Sequence, residues 1–78
     1  MREKKLWLII TFHTTTAAMA MESLCTEKGL PGRLIPVPRE ITAGCGMSWR
    51  APVENKQELI EAAEQAGIAT DGAYEIVI

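Results

Sequence analysis

Metal ligands, aromatic rings and cysteines are all scarce in this sequence. The chain has 78 residues, with one histidine, two cysteines and 5% aromatic residues. A single histidine and no C-x-x-C pair leave too few ligands for a closed zinc site, so we expect neither a metal nor an organic cofactor. Two cysteines do not make a disulfide framework, and we expect a reducing, cytoplasmic compartment.

Charge is also low and shows no basic stripe. The net charge is -2 and the isoelectric point is about 5.3. Nucleic acid is therefore not an expected partner, and the few aromatic residues offer no base-stacking platform. A membrane is not expected either, because no apolar run approaches the ~20 residues of a spanning helix.

The amino terminus has some features of a signal peptide. Basic residues precede the apolar run over residues 6–10, and Ala18-Met19-Ala20 has the form of a cleavage site. The apolar run is short, however, and cleavage after Ala20 would remove the most strand-like segment of the chain. We therefore interpret residues 5–12 as part of the folded protein.

The spacing of apolar residues predicts the order β-α-β-β-α-β. The predicted segments are a strand over 5–12, a helix from Thr14 or Thr15 to Gly29, strands over 32–37 and 46–51, a helix over 55–67 and a strand over 74–78. The expected buried stripes are Ala17, Ala20, Met21 and Leu24 in the first helix, and Leu59, Ile60, Ala62, Ala63 and Ala66 in the second. Pro36 places the second strand at a sheet edge, and Asn55 with Glu58 predicts a capping box.

Right-handed crossovers turn this order into an α+β, ferredoxin-like sandwich. It has a four-stranded antiparallel sheet with both helices on one face, and residues 1–78 form one predicted domain. The central strand is apolar over most of its length, so its second face would be uncovered. Such a patch often marks a partner surface, and we expect a homodimer through the sheet.

A cysteine between two glycines, Gly44-Cys45-Gly46, is the main candidate for chemistry. In this topology the loop over residues 38–46 lies at the same end of the sheet as the start of the first helix. Free amides and a partial positive charge there favour a thiolate. We predict that Cys45 is exposed, activated and directed toward the amides of residues 14–16. The alternative is a tight connection with a half-buried, structural thiol.

Four further residues are candidates for binding beside that thiol. Arg39 suits an anionic group, or it is simply a solvated charge. His13 is a general base or thiolate partner, or an imidazole that faces solvent. Thr14 and Thr15 are helix caps that are also able to bind an anion. Cys25 is interpreted as a small apolar residue of the core, too far along its helix for a disulfide with Cys45.

Three stretches of the sequence resemble one known family of small bacterial proteins, described as "Putative Se/S carrier protein-like". They lie at residues 12–22, 33–41 and 45–47, and they read FHTTTAAMAME, RLIPVPREI and CGM. The chain departs from the family's pattern at Thr16, where many relatives have a histidine. The resemblance implies that sulfur or selenium is carried as a persulfide or selenopersulfide on Cys45.

Two functions of different classes follow. In the first, the protein is a carrier rather than a stand-alone enzyme, with Cys45 as the acceptor and, by resemblance, a donor of the cysteine desulfurase class as partner. In the second, it is a dimeric binding or assembly module whose loop 38–46 holds an anion or peptide, and Cys45 is incidental. The substitution Cys45→Ser separates the two, because only the first function depends on the sulfur.

Overall fold

A computed structural model describes residues 4–41 and 45–78. The elements are the strand β1 (Leu6–Thr11), the helix α1 (Thr15–Lys28), the strands β2 (Arg33–Pro36) and β3 (Met47–Pro52), a 3-10 turn (Val53–Asn55), the helix α2 (Lys56–Gln65) and the strand β4 (Gly72–Val77). The predicted order β-α-β-β-α-β is confirmed.

The strands form one sheet in the order β2-β3-β1-β4, and neighbouring strands are antiparallel. The strand β2 is at an edge, as Pro36 predicts. Because β1 and β2 are both antiparallel to β3, they run in the same direction, and their carboxyl ends lie at one end of the sheet. This is the α+β, ferredoxin-like topology.

Both helices pack on the same face of this sheet. From the strands and the residue directly after β1, the core contains Leu8, Ile10, Trp49, Ala51 and, after β1, Phe12. From the helices it contains Ala18, Met21, Cys25, Leu59 and Ala63. The strand residues alternate along β1 and β3, which is the period of a sheet with one face against the helices. Burying each large side chain contributes about 1.5–3 kcal/mol to stability.

The buried stripe of α1 differs from the prediction. Ala18, Met21 and Cys25 are buried, whereas Ala20 is exposed and Leu24 is half-buried. The predicted and the observed sets of buried residues both have helical spacing, so periodicity alone does not determine which set faces the sheet. In α2, Leu59 and Ala63 are buried as predicted, but Ala66 lies past the end of the helix and is exposed.

The ends of the helices follow local sequence rules, with one exception. Thr14 caps α1, and Gly29 ends it in the left-handed conformation at φ 70°. At α2 the predicted capping box is wrong, because the Asn55 side chain makes no cap hydrogen bond. Its amide instead donates to the Glu58 carboxylate at 3.0 Å, since the chain enters α2 from a 3-10 turn rather than from an extended residue.

The second face of the sheet is not the open apolar patch that the sequence predicts. Ile9, Thr11 and Ser48 point to this face and have 0% exposure. The Tyr74 ring lies along it, so that a methyl group added at Gly72 would be 3.1 Å from the ring. Larger polar and aromatic side chains therefore cover the central strand. The homodimer through this face stays a prediction.

No helix among residues 4–41 and 45–78 is long and apolar enough to cross a membrane.

Candidate functional site

Cys45 lies in the turn that leads into β3, at the end of the sheet where β1 stops. Its main-chain N–H donates to the Phe12 carbonyl at 2.8 Å, and the Val37 N–H donates to the Gly46 carbonyl at 3.0 Å. The turn is thereby tied to the chain that follows β1 and to the chain that follows β2. Since α1 begins at Thr15, Cys45 is at the same end of the sheet as the start of α1, as the topology predicts.

Cys45 is half-buried as a residue and lies on the helix side of the sheet. It packs against the core cluster, as does Ala17 in the first turns of α1. Its thiol donates a weak hydrogen bond to the Met47 carbonyl, with the sulfur 3.9 Å from that oxygen. Cys45 is therefore half-buried rather than exposed as predicted, which is the burial expected of the alternative, a thiol in a tight connection, although it is not sealed in the core as Cys25 is.

Gly46 has a backbone conformation that other residues rarely adopt, with φ at 96°. A methyl group at this position would meet no described atom within 4 Å. The glycine is therefore required by its backbone conformation rather than by lack of room for a Cβ. Gly44, the other predicted glycine of the site, lies outside the described residues.

The start of α1 supplies a positive helix end at this rim. The Thr14 hydroxyl accepts from the Ala17 N–H at 3.1 Å, and the first turn contains no acidic residue to offset the helix dipole. Thr15 is the first helical residue and is exposed. The hydrogen bonds of the described residues include none from the amides of residues 14–16 to the sulfur, so that contact remains a prediction.

His13 is joined to an acidic residue that sequence reasoning missed. Its Nδ1 is 3.5 Å from the Asp71 Oδ1, and the imidazole is 65% exposed. The other carboxylate oxygen of Asp71 accepts from the Thr11 hydroxyl at 3.3 Å, and the Asp71 N–H donates to the Thr11 carbonyl at 2.7 Å. Asp71 is thus joined to Thr11 by a side-chain and a main-chain hydrogen bond, and its carboxylate lies within ion-pair distance of His13, the residue after Phe12.

Asp71 was missed because the final strand begins earlier than predicted. The strand β4 starts at Gly72, which pairs with Thr11, and the sequence places its start at Tyr74. The dipeptide Asp71-Gly72 is a turn signal that would have drawn attention to this position. The pairing with β1 spans 60 residues, and no local pattern predicts it.

The structure does not bring Arg39 into contact with Cys45. Arg39 is exposed in a turn in which the Ile41 N–H donates to the Pro38 carbonyl at 2.9 Å. The ion pairs found among the described residues do not include it. Its predicted role toward an anion at the sulfur therefore requires the side chain to reach across the turn.

Cys25 has the environment predicted for a core residue. It is 1% exposed, and burial raises the pKa of the Cys25 thiol to about 11. Both cysteines are free thiols. The two differ in exposure, so Cys25 provides an internal reference for any chemistry at Cys45.

The fold and the site together define a class: ferredoxin-like α+β domains with a partly accessible cysteine where the first helix begins. Comparison with protein families is more specific. The family model described as "Putative Se/S carrier protein-like" matches residues 8–75, and the chain belongs to this family. Neither a curated protein nor a solved structure matches the chain significantly.

Proposed function

We propose that this protein carries sulfane sulfur or selenium on Cys45, as a persulfide or a selenopersulfide. The observation that supports the proposal is the position of Cys45, a half-buried free cysteine in the turn at the end of the sheet where α1 begins. The family's description is in keeping with such a role. Free thiols are kept in reducing compartments, so we place this activity in the cytoplasm.

Loading and unloading are both thiol exchange reactions at one sulfur. The Cys45 thiolate attacks the outer sulfur of a donor persulfide, the donor's S–S bond breaks, and the donor thiolate leaves. In delivery, an acceptor nucleophile attacks the outer sulfur on Cys45, and the Cys45 thiolate is released. Each step conserves electrons, so neither step needs an oxidant or a reductant. Selenium transfer follows the same sequence with selenium as the outer atom.

The surrounding residues suit an anion on Cys45. The positive end of α1 is at this rim, and Thr14 and Thr15 begin that helix. In this proposal His13, which is paired with Asp71, supplies a proton to the leaving donor thiolate or pairs with the persulfide. The exposed Arg39 supplies a cation by reaching across the turn. The partner is a sulfur or selenium donor enzyme of the cysteine desulfurase class.

Mass spectrometry of the intact protein tests this proposal. The protein is incubated with a cysteine desulfurase and cysteine, separated from the enzyme without a reductant, and weighed. We expect an increase equal to one sulfur atom, mapped to Cys45 by peptide analysis. The Cys25→Ser variant should gain the same sulfur, and Cys45→Ser should gain none.

A folded protein that gains no sulfur at Cys45 would contradict the carrier function. Circular dichroism of each variant establishes that it is folded. If Cys45→Ser instead kept every cellular role of the protein, the binding or assembly module would be the better description. That module depends on the loop and not on the sulfur.

A further inference from the structure

The face of the sheet away from the helices has a concentration of positive charge that the proposed function does not use. Arg33 of β2 and Arg50 of β3 are directly opposite each other in the strand register. Like charges at such a pair destabilise a sheet. Lys5 adds a third cation, because its Nζ lies 4.6 Å from the centre of the Trp7 ring.

The described residues that the strand register assigns to this face include no acidic side chain. The strand register assigns to this face Trp7, Ile9, Thr11, Arg33, Ile35, Ser48, Arg50, Pro52, Gly72, Tyr74 and Ile76. None of these is acidic. The ion pairs among the described residues are elsewhere, between His13 and Asp71 and between Lys56 and Glu75. Among the described residues, no ion pair therefore offsets the opposition of Arg33 and Arg50.

Arg50 also has a polar atom with no partner. Its guanidinium carbon is 4.4 Å from the centre of the Trp7 ring, a cation-π contact. Its Nε is buried and has no hydrogen-bond partner among the described residues. Leaving a buried charged donor unsatisfied costs more than a net hydrogen bond gains.

These groups line a shallow groove. Its walls are Trp7, Pro31, Gly32, Arg33, Arg50 and Pro52, and its volume is about 260 Å³. That volume lies just below the roughly 300–1,000 Å³ of pockets for drug-sized ligands. The groove suits a small oxyanion, or the oxyanion group of a larger ligand whose flat part rests near the Trp7 ring.

We infer that this groove is an oxyanion site, in which Arg33 and Arg50 together bind a phosphate or a carboxylate group. Two guanidinium groups offer the parallel donors that such oxygens accept. The site is separate from Cys45, since Arg50 lies five positions further along the chain, at most about 17 Å away, and on the face of the sheet opposite the core cluster that Cys45 packs against. The inference therefore stands whether or not Cys45 carries sulfur.

An NMR titration tests the inference directly. Inorganic phosphate and acetate are added separately, with potassium chloride at equal ionic strength as the control for screening. We expect a saturable shift of the Arg50 Nε–H and Trp7 indole N–H signals with at least one oxyanion. The phosphate arm identifies a phosphoryl ligand, and the acetate arm identifies a carboxylate.

Variants assign the binding to the two arginines. Arg33→Gln and Arg50→Gln should each weaken the anion's effect on the Trp7 signal by about tenfold or more. Lys28→Gln removes a positive charge from the end of α1 and should leave the titration unchanged. The signal of the buried Trp49 indole reports folding, and Arg50→Lys, which keeps the charge but not the planar fork, replaces Arg50→Gln if the latter unfolds.

Three results would overturn the inference. One is a shift that grows linearly with each anion and equals that of chloride. Another is a saturable shift that persists in the folded Arg50 and Arg33 variants. The third is the absence of any shift with both phosphate and acetate.

Discussion

The two cysteines show that the environment of a thiol determines its exposure and its pKa. Cys25 is enclosed by the core and has a thiol whose pKa is raised to about 11, so it stays protonated under ordinary conditions. Cys45 is half-buried at a turn, beside a glycine with no side chain. Reagents that attack thiols will reach Cys45 in the folded protein, and they will reach Cys25 only after unfolding.

The raised pKa of Cys25 predicts a loss of stability in alkaline solution. Its ordinary value is 9.0 and its folded value is about 11. Between these values the unfolded chain binds fewer protons at this residue than the folded chain, so the free energy of unfolding falls as pH rises. Full loss of this contribution amounts to about 2–3 kcal/mol.

Urea unfolding at a series of pH values checks this prediction. The free energy of unfolding should fall less steeply between about pH 9 and 11 in Cys25→Ala than in the parent protein. Below that window the two curves should be parallel, offset by the lost packing of the sulfur. Equal slopes through the window would show that the thiol titrates as if it were exposed.

Gly29 and Gly32, at the ends of elements, both have a positive φ, but they differ in the room for a side chain. Gly32, which precedes β2, has φ at 125°, and a methyl group there would overlap the Trp49 indole and lie 2.7 Å from the Arg50 carbonyl oxygen. Gly29, at the end of α1, has φ at 70° and no neighbour within 4 Å of such a methyl. A side chain at Gly32 is therefore disfavoured both by its neighbours and by the backbone conformation. At Gly29 it is disfavoured by the backbone conformation alone.

We therefore predict that Gly32→Ala is much more destabilising than its matched control Gly29→Ala. The control should cost about 1 kcal/mol of backbone strain. Gly32→Ala should cost at least about 2 kcal/mol more, because Trp49 must move from the core and its hydrogen bond to the Pro31 carbonyl at 3.2 Å must break. Chemical denaturation of both variants measures the difference, and equal losses would contradict the packing of Trp49 on Gly32.

Elements with local signals were predictable from sequence. The apolar run of β1, the Thr14 cap, the Gly29 stop and the edge position implied by Pro36 all depend on neighbouring residues. The phase of α1 was not predictable, because the stripe with Ala18 and Cys25 and the stripe with Ala17 and Leu24 have the same spacing. Packing of α1 against the strands determines which stripe is buried, and this packing is a property of the tertiary structure.

At the scale of the whole molecule, the fold brings together residues that no local pattern connects. The topology alone was sufficient to place Cys45 at the start of α1. The pairing of His13 with Asp71 and the opposition of Arg33 and Arg50 required the register of particular strands. Register links residues far apart in the chain, and one residue of slippage moves a side chain to the other face.

The resulting molecule has two separate regions with different chemistry. One end of the sheet has the half-buried Cys45, the start of α1 and the pair of His13 and Asp71. The face away from the helices has a cationic groove near Trp7. A two-fold dimer through that face would place its cations against their copies, and a bound oxyanion in each groove would reduce the repulsion.

Release of sulfur from the loaded protein to cyanide tests the central claim most directly. The protein is loaded with polysulfide, freed of excess reagent and treated with cyanide, which takes the outer sulfur as thiocyanate and leaves the thiolate. We predict one thiocyanate for each chain of the parent protein and of Cys25→Ser, and none from Cys45→Ser. No thiocyanate from the folded parent protein, or an equal yield from Cys45→Ser, would contradict the assignment of Cys45 as the carrier.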